Sequence, residues 1–209
     1  MANAQSASAG GKRFTGERSS GERYWTVPIA RAAIAVVPGA VITFNRDHSA
    51  AFGLLTFGAF ALASGLLLAV LSSLTLADGR ARRLFLIQGV VGVVAGALAL
   101  AFHAGGLGFF LYLVSVWGAV TGFLELYSGS RVRGRLPVAK DWMLVGALTA
   151  VLALLFLLLP PNTVVAVGLL GAYLAVFAMY LVIAGLSLKW AKMDAPASAA
   201  PVANDSDSQ

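Results

Sequence analysis

Two side chains of opposite charge, Arg31 and Glu125, stand inside stretches that are otherwise apolar; every other formally charged residue lies outside such stretches. An ionisable group near the centre of a bilayer costs about 2.5–3.5 kcal/mol on insertion scales, and such groups usually pair. Arg31 lies six residues into a helix expected to start at 25, roughly 9 Å deep at 1.5 Å per residue. Helical side chains lean toward the helix N-terminus. The lean tips Arg31 back along its helix, and it tips Glu125, near the end of a helix running the other way, inward. The two converge in depth, and Gln88, four residues into the third apolar stretch, lies level with them. The sequence therefore predicts a polar cluster of Arg31, Gln88 and Glu125 in the cytoplasmic half of a helical bundle. Its chemistry is either an ion pair that fixes helix register or a relay for protons or a substrate.

The elements that position these residues are apolar almost throughout. Hydrophobic residues make up 59% of the 209-residue chain and charged ones 11%, against roughly a quarter charged in a soluble domain. Six apolar stretches are read as membrane spans at 25–44, 50–76, 84–102, 109–127, 142–159 and 164–188. Each is near or above the roughly 20 residues that cross about 30 Å of hydrocarbon. Basic residues fix the expected orientation. Lys12, Arg13, Arg18, Arg23, Arg80, Arg82, Arg83, Arg131, Arg133, Arg135, Lys140, Lys189 and Lys192 fall in the tails and in the segments 77–83 and 128–141. The opposite connections, 45–49, 103–108 and 160–163, hold only Arg46. Positive residues favour the cytoplasmic side, so both termini are expected in the cytoplasm. Trp25, Tyr127, Trp142 and Trp190 fall at the same ends, where amphipathic rings favour the headgroup zone. Residues 1–23 and 191–209 read as disordered tails around a membrane domain at 24–190, and no removable signal peptide is expected.

The fold class expected is an all-α, polytopic membrane bundle of six helices in three tandem hairpins, 25–76, 84–127 and 142–188. An offset of 57 residues pairs Gly65 with Gly122, Phe60 with Trp117, Gly39 with Gly96 and Gly89 with Gly146; an offset of 56 pairs Trp117 with Tyr173. With this layout, the strings RAAIAVVPGA from Arg31, GAFALASG from Gly58, WGAVTGFLE from Trp117 and GAYLAVF from Gly171 resemble the HdeD-like acid-resistance membrane proteins. Pro160, Pro161 and Asn162 approach that family's proline-containing hairpin turn, and the first two turns depart from it. The resemblance implies a six-span bacterial membrane protein with a role in acid tolerance.

Other residues offer weaker chemistry. His48 and His103 stand in the connections opposite the basic face, and imidazole changes charge between pH 5 and 8, so they are candidate pH-responsive groups facing outside. Two histidines without partnering carboxylates complete no metal ligand set. Gly92 with Gly96, and Gly118 with Gly122, form small-xxx-small steps of the kind that let membrane helices approach closely. The expectation is packing of the third span on the fourth, with homo-oligomer formation through the same faces as the alternative. There are no cysteines, no phosphate loop, no dinucleotide fingerprint and no hydrolase or metalloprotease motif. No catalytic, cofactor or metal residues are assigned, and a non-enzymatic protein is expected. The net charge of +6 points to anionic lipid headgroups and the bilayer as partners rather than to nucleic acid. A small transporter or channel working through Arg31 and Glu125 is the rival reading.

Overall fold

A computed structural model describes residues 26–75, 79–131, 133 and 139–193. They form six helices, with no strand among the described residues: α1 (Thr26–Phe44), α2 (Ala50–Thr75), α3 (Gly79–Ala101), α4 (Gly106–Arg131), α5 (Ala139–Leu158) and α6 (Thr163–Met193). The expected tail at 1–23, Trp25 and residues 194–209 lie outside the described residues. Five helices, α2 to α6, are long and apolar enough to cross a membrane, and α1 carries a shorter apolar run, Pro28–Phe44. The helices are apolar on all sides. Val37, Phe123, Leu158 and Met179 are exposed as fully as polar residues would be on a soluble protein. A bundle with an apolar exterior and an apolar interior suits lipid on its outside.

Short connections and local caps end the helices at one side of the bundle. Asn45 Oδ1 accepts from Asp47 N, Asp47 Oδ1 accepts from Ser49 N, and Ser49 Oγ accepts from Phe52 N, which caps α2. Asn162 Oδ1 accepts from Val165 N and caps α6 after Pro160 and Pro161, which cannot continue α5. At the other side the helices outrun the apolar stretches that announced them. α3 begins at Gly79 rather than 84, α4 runs to Arg131, α5 begins at Ala139 and α6 reaches Met193. Helix hydrogen bonding needs no apolar side chain, and Arg and Lys are good helix formers, so apolarity marked the oil and not the ends of the helix.

The closest helix pairs are α2 with α3, α4 with α5, and α1 with α6; contact within the sequence hairpins α1–α2, α3–α4 and α5–α6 is slighter. Glycine explains the choice. A Cβ on Gly65 would stand 2.6 Å from the Gly89 oxygen and the Val93 nitrogen, and one on Gly146 would stand 2.7 Å from Leu126 N. This corrects the expected partners of the small-residue steps. Gly92 and Gly96 pack on α2 at Gly65, Leu62 and Gly58, while Gly118 and Gly122 pack on α5 at Ala153, Ala150 and Gly146. The third and fourth helices do not meet through these faces. Each step finds its partner where the facing helix is also small, because van der Waals contact between close backbones drives association in lipid.

The core runs through the middle of the bundle. Leu54, Phe57, Phe110, Val114, Phe156, Val167 and Leu170 fill its half nearer the capped turns. Trp117 takes Phe57 and Phe60 edge-on at 5.3 and 5.9 Å between centroids, a favoured geometry for aromatic pairs. Replacing Gly65 with Ala forces backbone apart, and overpacking of this kind costs about 1–3 kcal/mol. Thermal unfolding followed by tryptophan fluorescence is expected to show a clear fall in Tm for Gly65→Ala. Gly168→Ala, where a Cβ meets nothing within 4 Å, is expected to leave Tm unchanged or raise it.

Candidate functional site

Arg31 of α1, Gln88 of α3 and Glu125 of α4 point into the bundle, and the three meet on one carboxylate oxygen. Arg31 Nη2 donates to Glu125 Oε1 at 2.7 Å, and Gln88 Nε2 donates to the same Oε1 at 2.8 Å. The structure thus brings together the three residues that sequence depth had aligned. Glu125 is buried, with 3% of its side chain exposed, whereas Arg31 retains 13%. Phe177 of α6 lies under the guanidinium, 5.4 Å from ring centroid to Cζ, a cation–π distance. Four of the six helices therefore hold one charge pair.

A small cavity of about 20 Å³ adjoins the pair. Its walls include the pair itself, Gln88, Ser64, Thr121, Thr149, Tyr173 and the rings of Phe60, Trp117 and Phe177. Thr149 Oγ1 and the Tyr173 hydroxyl lie 2.9 Å apart, a second buried polar pair that joins α5 to α6. Near the other end of α6, the Tyr180 hydroxyl donates to Asp141 Oδ1 at 2.7 Å, tying the start of α5 to the same helix. Sequence reasoning missed Thr149, Tyr173, Thr121 and the Asp141–Tyr180 bond. One signal pointed to the first two. The offset of 57 that relates Gly39 to Gly96 also relates Gly92 to Thr149, and Phe60, Trp117 and Tyr173 share one register, so all five belong to inward positions.

The remaining candidates lie elsewhere. His48 Nδ1 is 3.2 Å from the Arg46 carbonyl oxygen and His103 Nδ1 is 3.2 Å from that of Leu100. Both sit at the capped end, remote from Glu125. Among the described residues no three His, Asp or Glu side chains gather as a metal site would need. No known protein family, curated protein or solved structure matches the chain.

What the cluster can do follows from its bonding. One carboxylate oxygen accepts from two donors on two helices, and the guanidinium is held by a carboxylate and a ring. Breaking a buried pair by removing one partner typically costs about 3–5 kcal/mol, because the survivor is left uncompensated, whereas replacing both by apolar groups is far milder. Glu125→Leu and Arg31→Leu are each expected to lower folded yield and Tm sharply. The double variant Arg31→Leu, Glu125→Leu is expected to recover most of the loss, as measured by size-exclusion yield and thermal unfolding of the purified protein.

Proposed function

We propose that this chain is a non-enzymatic integral membrane protein of the bacterial inner membrane, similar to the HdeD-like family and serving envelope or acid-stress tolerance. In this reading it crosses the bilayer six times, as three tandem hairpins with both termini in the cytoplasm. Three observations support the topology. α1 is 19 residues long, about 28 Å at 1.5 Å per residue, and its one charge is neutralised by Glu125, so it suits a sixth span despite its shorter apolar run. Arg82, Arg83, Arg131, Arg133 and Lys140 are exposed at the same end of the bundle, where each basic group near anionic headgroups gains about 1 kcal/mol. The 57-residue offset carries the pair α2–α3 onto α4–α5, and carried once more it reaches α6 and closes on α1. The three tightest helix pairs would then be copies of one another around a central axis.

The observation that carries the functional reading is the packing of that axis toward the capped turns. The charge pair sits against a cavity with room for about one water, and the large side chains of Phe57, Phe110, Val114 and Leu170 fill the half toward the capped turns. A transporter working through Glu125 opens its site to one face and then the other; here the half toward the capped turns is filled with packed side chains. Nor do the buried groups assemble a nucleophile with a base and an orienting partner.

The test has two arms. Deletion of the gene is expected to lower survival after acid shock, with full rescue by the wild-type chain and by the His48→Ala, His103→Ala double variant; survival equal to the parent strain would refute the stress role. In proteoliposomes under pH and ion gradients, wild type and Glu125→Gln are expected to leak alike. Flux that is present in wild type and lost in Glu125→Gln would establish the transporter reading in its place.

A further inference from the structure

The charge pair is not fully satisfied by the protein. Arg31 Nε is buried and meets no acceptor among the described residues, although Nη2 is bonded to Glu125. A buried donor left without a partner costs roughly 1–3 kcal/mol, more for a charged group. The adjoining cavity measures about 20 Å³, and one water needs roughly 10–15 Å³ and two to four polar partners.

Acceptors are present in its walls. Thr149 has one hydroxyl hydrogen, and Oγ1 donates it to the Val145 carbonyl at 3.0 Å. The 2.9 Å contact between Thr149 and Tyr173 is therefore donated by the phenol, whose oxygen keeps its lone pairs for another donor. Thr121 likewise donates to the Trp117 carbonyl at 2.7 Å and keeps acceptor capacity. Most of the wall is buried, and Arg31 and Ser64 are its half-buried members, so exchange with the surroundings passes between α1 and α2.

We propose that this cavity binds one ordered water molecule, which accepts from Arg31 Nε–H and donates its two hydrogens to wall oxygens, that of Tyr173 and one of Thr121 or Glu125. The water completes the hydrogen bonding of the guanidinium and links the Arg31–Glu125–Gln88 cluster to the Thr149–Tyr173 pair. It rests on the closed-core reading above and adds its occupant. A hydrated, neutral charge pair of this kind is a fixed brace whose solvation travels with it inside the bundle.

Radiolytic hydroxyl-radical footprinting of the full chain in lipid nanodiscs tests this, with ¹⁸O-labelled water as the probe. Radicals formed on a bound water oxidise side chains beside it even where bulk solvent cannot reach. Modification rates are normalised to the intrinsic reactivity of each residue type. Trp117 and Tyr173 are expected to be modified about tenfold faster than Phe85 and Leu113, which are equally buried but lie away from the cavity. Rates no higher than those of Phe85 and Leu113 would overturn the bound water. Rapid labelling of Phe57 and Phe110 together with Trp117 would instead show a core open to bulk solvent. That result sinks the closed-core reading and the single-water site together, and so differs from failure of the water alone.

Discussion

A guanidinium and a carboxylate that leave water must find each other, and in this chain they sit 94 residues apart in sequence. Either charge alone in an apolar bundle is a heavy penalty. Bonded at 2.7 Å, they turn that penalty into a constraint on which helices can be neighbours. Arg31 sits on α1, whose apolar run is the shortest and which contains Pro38. Its place in the bundle therefore depends on a carboxylate that the growing chain supplies only with α4. Gln88 on α3 and the ring of Phe177 on α6 complete the enclosure.

Close backbone packing sets the scale on which this constraint operates. Gly65, Gly89 and Gly92 let α2 and α3 touch backbone to backbone, and Gly122 and Gly146 do the same for α4 and α5. At α1 and α6 the approach is milder, with Gly39 facing Leu174 and Gly171 facing Ile42. Two tight pairs and one looser pair leave a central space just wide enough for aromatic rings, the charge pair and a cavity of about one water. Wider helix spacing would have left an aqueous passage. Close approach at the glycines is what packs apolar side chains around Glu125.

The polar cluster was legible in the sequence because depth along a helix is a one-dimensional quantity, and charge in an apolar run stands out against its background. The lean of helical side chains then brought Arg31 and Glu125 to one level. Which glycine face meets which helix was not legible. A small-xxx-small step marks a face of its own helix, but its neighbour is chosen by small residues on another, and both α2 and α4 offered them. Thr149 and Tyr173 were hidden for a different reason. A hydroxyl in a span is unremarkable until its partner, 24 residues away, is known to share its depth. At the basic side the helices run on past the apolar stretches, because lipid selects for apolarity while backbone hydrogen bonding does not.

The bonding of the cluster also sets it apart from the polar groups at the capped end. Glu125 Oε1 already accepts two hydrogen bonds, one of them from a permanently charged guanidinium, and releasing the carboxylate would strand Arg31 in an apolar surround. The pair therefore fixes α1 against α4 through both of its members. At the capped end, His48 and His103 contact backbone carbonyls at 3.2 Å, and Asp47 is engaged in capping beside the first. Rigidity in the middle and polar, solvent-facing turns at one end are thus separate properties of the bundle, and the ion pair belongs to the first.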